Sequence, residues 1–186
     1  DLWAGGSIGE NIRFAFERIR HATQESGWPE GSVRHVAATK SVGLDQIREG
    51  IAAGLTILGE NRFPKSGAAE ATDFVAFYQA LTAAKGSIIV EAFALIQSVD
   101  SVELAGEIDQ RAQETEPTQA VLLQVNLEEE RTKAWFLPDE LDGAMPSMGG
   151  LAHVAVKGLV AIPPPASDPE QARPYFRRLR KLALRL

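Results

Sequence analysis

Lys40 is the residue of this chain best placed for covalent chemistry. The stretch Val33-Arg34-His35-Val36-Ala37-Ala38-Thr39-Lys40 alternates β-branched and small residues, as a pleated strand does, and Ser41, Gly43 and Leu44 then open a helix. A lysine at the carboxyl end of a strand in an alternating βα chain lies where such folds build their sites. Partial shielding from water favours the neutral form of an amine, and a neutral amine is a nucleophile toward carbonyl compounds. A strand-end lysine can equally be a solvated cation, and position alone leaves both readings open. A second polar strand end follows at Gly59-Glu60-Asn61-Arg62. Other chemistries lack their residues. There is no cysteine, so no disulfide or thiolate site exists, and His21, His35 and His153 show no ligand spacing, so no metal is expected. No glycine-rich phosphate loop of the dinucleotide or NTP type follows any strand.

The elements that must position these groups can be read in order. Ser7 and Glu10 have capping-box spacing, and Ile8, Ile12, Ala15, Phe16, Ile19 and Ala22 recur on one helical face until Gly27 and Pro29. After the Lys40 strand, Leu44, Ile47 and Ile51 mark a helix closed by Gly54, and Leu55 to Leu58 a short strand. A third strand is expected at Phe74 to Tyr78, with a helix from about Leu81 to Glu91. Ala94 to Val99 makes a fourth strand. Asp100 with Glu103 then caps a helix bearing Val102, Leu104, Ala105 and Ile108, which ends near Glu116 and Pro117. Ala120 to Asn126 is a nearly continuous apolar run, the pattern of a strand buried on both faces of a parallel sheet. Pro138, Asp139 and Glu140 start another helix, Val154 to Ile162 forms a sixth strand ending at Pro163-Pro164-Pro165, and Asp168 with Pro169 starts the last helix. Pro174 should distort its first turns, so its regular part begins there. Gln124, Asn126 and Asp100 also fall at strand ends, where hydrogen-bonding of loops is their expected work. Trp3, Trp28 and Trp135 read as packing residues.

Six strand-like runs alternating with helices imply an α/β fold with a parallel sheet, either doubly wound or part of a (β/α) barrel. The length of 186 residues, 45% hydrophobic content and 24% charge are those of one globular domain spanning residues 1–186. A net charge of -6 argues against a general nucleic-acid binder. The basic residues near the end (Arg173, Arg177, Arg178, Arg180, Lys181, Arg185) alternate with Phe176, Leu179, Leu182 and Leu186, the pattern of an amphipathic helix with a solvated basic face. No apolar run approaches the ~20 residues needed to span a bilayer. The opening Asp1-Leu2-Trp3-Ala4-Gly5-Gly6 lacks signal-peptide blocks, so a cytoplasmic protein is expected.

Five segments, in order, resemble successive motifs of the pyridoxal phosphate homeostasis protein family. They are Ala37-Ala38-Thr39-Lys40, Gly59-Glu60-Asn61-Arg62, the run Phe93 to Ser101, Leu122-Leu123-Gln124-Val125-Asn126, and Gly158-Leu159-Val160-Ala161-Ile162-Pro163. The resemblance runs from about Asn11 to the end of the chain. It implies an alanine-racemase-like (β/α) TIM-type barrel holding pyridoxal 5'-phosphate (PLP) as a Schiff base on Lys40, with Asn61 near the ring. It further implies a carrier or regulator of the vitamin B6 pool and of amino-acid balance, without an established turnover reaction. A small-molecule cofactor is thus the expected partner, of a monomer or weak homodimer.

Three departures from the family pattern stand out. The third-strand motif keeps only Leu81 and Lys85, and Val160 replaces the usual methionine of the Gly-Leu-Met-Ala-Ile-Pro motif. Family chains also continue into two further strands whose motifs cradle the cofactor phosphate, so about six of the eight βα units of such a barrel are expected in this sequence. Two other readings therefore accompany the carrier. One is a PLP-dependent racemase or Schiff-base lyase on the same scaffold; racemisation needs a second base, and Tyr78 and Tyr175 are the only tyrosines. The other is a cofactor-free fragment of the family.

Overall fold

A computed structural model of the chain describes residues 6–60, 73–76, 93–115, 118–128 and 135–186. They fall into two units, Asp1–Val75 and Ala76–Leu186. In the first unit, helix α1 (Ile8–Glu25) starts as the Ser7/Glu10 pattern requires. Ser7 N–H donates to Glu10 Oε2 (2.7 Å) and Glu10 N–H to Ser7 Oγ (3.3 Å). The hydrogen bonds from Ser7 hold the Glu10 carboxyl below the ordinary carboxylate range. Strand β1 (Ala37–Ala38) leads into helix α2 (Leu44–Ala52), which Gly54 closes at φ +106°, a conformation that suits glycine. Strand β2 (Ile57–Glu60) lies parallel to β1, with Ala37 opposite Leu58 and Ala38 opposite Gly59.

The core of this unit is Ile47, Leu55 and Leu58, against which Ile12, Phe16, Ala37, Val42 and Ile51 pack. Gly9 N–H also donates to Glu49 Oε1 (3.2 Å), tying the start of α1 to α2. At Gly50 the close approach is tighter still: a Cβ there would lie 2.8 Å from Leu55 Cδ1 and 3.4 Å from Ile12 Cδ1.

Two strand boundaries differ from the sequence expectation. The run expected to be extended over 33–40 forms ladder only at Ala37–Ala38, since pairing needs a partner and β2 supplies just four residues; Val33 is 43% exposed. Strand β2 begins at Ile57 rather than Leu55, because Leu55 is still engaged in closing α2, its N–H donating to Gly50 O (3.1 Å). Strand β3 is Asp73–Ala76. Phe77 and Tyr78 of the expected third strand, and the helix expected from Leu81 to Glu91, lie outside the described residues.

The second unit holds β4 (Leu95–Val99), α3 (Val102–Thr115), β5 (Gln119–Gln124), α4 (Leu141–Gly149) and β6 (Val154–Val160). A 3-10 turn (Pro169–Ala172) and α5 (Arg173–Ala183) come after them. Strand β5 pairs in parallel with both β4 and β6, and the register with β6 skips Lys157, a bulge beside Gly158. Central position explains the burial of Val121 and Leu123, both 0% exposed; Ile96, Val99, Ala105 and Leu141 of the same unit are also fully buried. Val125 and Asn126 belong to an isolated bridge with Phe136: Asn126 N–H donates to Phe136 O (2.9 Å) and Phe136 N–H to Gln124 O (3.1 Å).

Pro174 acts as expected: a 3-10 turn capped by Asp168 Oδ1, which accepts from Glu170 N–H at 2.9 Å, precedes the α-helical turns. The basic face of α5 is exposed, as its pattern suggests, and two arginines of this segment also reach neighbouring groups. Arg178 Nη1 donates to Leu127 O (3.0 Å), and Arg185 Nη2 reaches Pro138 O (3.3 Å) and Asp142 Oδ2 (3.1 Å). Parallel strands alternating with helices in both units make this an α/β fold.

Candidate functional site

Lys40 stands one residue beyond the last buried position of its strand end, and the backbone around it is closely held. Thr39 is 4% exposed. Its N–H (3.0 Å) and its hydroxyl (3.3 Å) both donate to Gly59 O, and its own carbonyl accepts from Val42 N–H (3.0 Å). That last bond closes a tight turn with Lys40 and Ser41 at its centre. Val42 packs on the core, and Gly43 N–H donates to Gln46 Oε1 (3.1 Å) at the head of α2. The Lys40 side chain itself is exposed. Sequence reasoning expected an amine partly walled off from water. The difference goes with the short ladder: paired strand ends at Ala38, and Lys40 stands in the turn beyond it. The arrangement presents a primary amine to solvent on a pinned main chain, beside the carboxyl end of β2. Asn61, the other expected site residue, lies outside the described residues.

The second unit gathers different groups at its strand ends. An open cleft of about 720 Å³ is bordered by Asp100, Glu103, Trp135, Phe136 and Glu140. Burial pushes the Asp100 carboxyl above the ordinary range, against the opposing effect of hydrogen bonds from its own backbone and Ser101. The helix expected to be capped by Asp100 is capped instead by Ser101, whose Oγ accepts from Leu104 N–H (3.2 Å). An N-cap side chain bonds the N–H two or three residues on, and α3 starts at Val102, which makes Ser101 the residue in register. Asn126 and Gln124 are 1% and 3% exposed, and their backbones bond Phe136 in the chain that follows.

Sequence reasoning passed over two features. Thr39 was read only as part of a strand end; its signal is alternation, which turns it to the face opposite Ala38 and into the unit. Trp135, read as packing, borders the cleft. Among the described residues, no cluster of His, Cys, Asp or Glu could hold a metal ion, and no helix is long and apolar enough to cross a membrane.

A parallel α/β chain with an accessible lysine at the end of its first strand can be set beside known proteins. No family model matches it. It is 35% identical over 178 residues to a pyridoxal phosphate homeostasis protein of Aquifex aeolicus, covering 93% of this chain and 78% of that one. It is 31% identical over 185 residues to the protein of the same name from Pseudomonas aeruginosa, covering 97% and 80%. The chain belongs to the pyridoxal phosphate homeostasis protein family. Among solved structures, PipY of Synechococcus elongatus PCC7942 with PLP bound matches with a TM-score of 0.76 and 29% identity, over 96% of this chain and 81% of that one. An alanine racemase of Clostridium difficile shares the fold at a TM-score of 0.67 and 12% identity, over 94% of this chain and 46% of the racemase.

Proposed function

We propose that this chain is a PLP carrier that holds the cofactor as a Schiff base on Lys40, with Asn61 beside it, and serves vitamin B6 and amino-acid homeostasis without turnover. In this reading residues 1–186 are one alanine-racemase-like barrel domain with about six of eight βα units, acting in the cytoplasm as a monomer or weak homodimer. The observation that carries it is PipY, a relative with PLP bound whose structure matches 96% of this chain.

The residues present suit the cofactor. PLP supplies an aldehyde that condenses reversibly with a primary amine, so one bond serves both storage and release. Lys40 offers such an amine, exposed and therefore reachable, at the carboxyl end of a parallel strand. The turn closed by Thr39 and Val42 fixes the main chain that carries it.

The test is to incubate the protein with PLP, reduce with borohydride and map the product by peptide mass. A pyridoxyl group on Lys40, absent from Lys40→Ala, is the expected result. A modified Lys40→Ala protein with the same stoichiometry overturns the assignment. Sustained Cα-deuterium exchange of L-amino acids by the loaded protein in D2O would overturn the absence of turnover.

A further inference from the structure

Thr39 bonds both across to β2 and along its own chain where the strand gives way to the lysine turn. Its N–H and hydroxyl converge on the single carbonyl of Gly59, fastening β1 to β2, while its carbonyl closes the turn through Val42 N–H. The residue is almost fully buried, whereas Lys40, the next in the chain, is exposed. A long flexible side chain on a mobile turn would spread its amine over a large volume; a fixed main chain confines it and raises the fraction of time spent in reach of a bound carbonyl. We infer that Thr39 is a positioning residue for Lys40 and that its hydroxyl, through Gly59 O, sets how readily the amine captures an aldehyde. The inference rests on the proposed role of Lys40 as the residue that takes PLP.

The geometry supplies a clean variant. Thr39→Val keeps the shape, and Gly59 O keeps its bond from the residue 39 N–H, so no buried carbonyl is orphaned. Thr39→Ser keeps the hydroxyl and loses only the methyl. Two measurements are made on all three proteins: the rate at which PLP becomes borohydride-fixed on Lys40, and, without cofactor, amide hydrogen exchange at Thr39 and Val42. Loss of one neutral hydrogen bond corresponds to about a 2- to 10-fold effect. Thr39→Val is expected to slow capture and speed both exchanges by that factor, with α3–α5 amides unchanged, and Thr39→Ser to stay within about 2-fold of wild type. If wild-type Lys40 takes no pyridoxyl group, the carrier reading and this inference fall together. If it does, and Thr39→Val captures and exchanges like wild type, the carrier reading stands and the inference falls. Failure of Thr39→Ser to restore both rates also overturns it, since packing of the methyl would then be the cause.

Discussion

The pair β1–β2 and the triplet β4–β5–β6 are built from the same parallel ladder and put it to opposite uses. In the triplet, β5 pairs along its whole length with β6, and Val121, Leu123 and Val125 are sealed at 0% exposure. In the pair, the ladder spans two residues of β1, and the turn beyond them carries an exposed lysine on a main chain bonded at Thr39 and Val42. A long ladder maximises burial, and a short one leaves the strand's carboxyl end open for chemistry. Burial and solvent access are thus divided between regions of the same fold.

The sharpest way to break this comparison is in the triplet. Leu123→Ala should destabilise the protein by about 2–5 kcal/mol, measured by urea unfolding, because it removes a fully buried side chain from a central strand. A loss below ~1 kcal/mol would mean that β5 is not the keystone its burial suggests. A smaller effect sharpens the other side. The first unit depends on local bonds at helix ends, so Ser7→Ala should cost about 0.5–2 kcal/mol and Ser7→Asp should recover most of it.

The smallest effect concerns Asp100. Folding raises its pKa through burial, so the folded chain binds that proton more tightly than the unfolded one. Its contribution to stability is therefore fully present below the ordinary carboxylate range and is lost as pH rises through the raised folded value. Asp100→Asn removes this loss. The variant should gain on wild type at neutral pH, by less than ~1 kcal/mol because the group is only half-buried and solvent screens it. The gain should vanish below the carboxylate range, and thermal melts at several pH values would show it.

Periodicity carried most of the fold. The Ser7 cap, the Gly54 stop, the apolar run of β5 and the Pro174 break are local signals, and each determines its element with little help from elsewhere. Strand ends were less legible because ladder length depends on the partner. Val33 to Val36 look extended by composition, yet in this run it is Ala37 and Ala38 that pair with β2 and Thr39 that bonds Gly59. The Asp100/Ser101 exchange is a one-residue uncertainty in register that pattern cannot resolve, since either side chain can cap. At the candidate site, the type and strand-end place of Lys40 were readable. Its exposure and the bonds of Thr39 were not, because both arise from contacts with a strand some twenty residues away.

Gly50 shows how closely α2 packs in the first unit. A Cβ at position 50 would lie 2.8 Å from Leu55 Cδ1 and 3.4 Å from Ile12 Cδ1. An alanine there would displace Leu55 Cδ1, the far end of a flexible side chain, rather than the backbone of the helix. The tight approach is thus absorbed by a side-chain rotamer, which makes position 50 a forgiving joint between α2 and the chain that follows it.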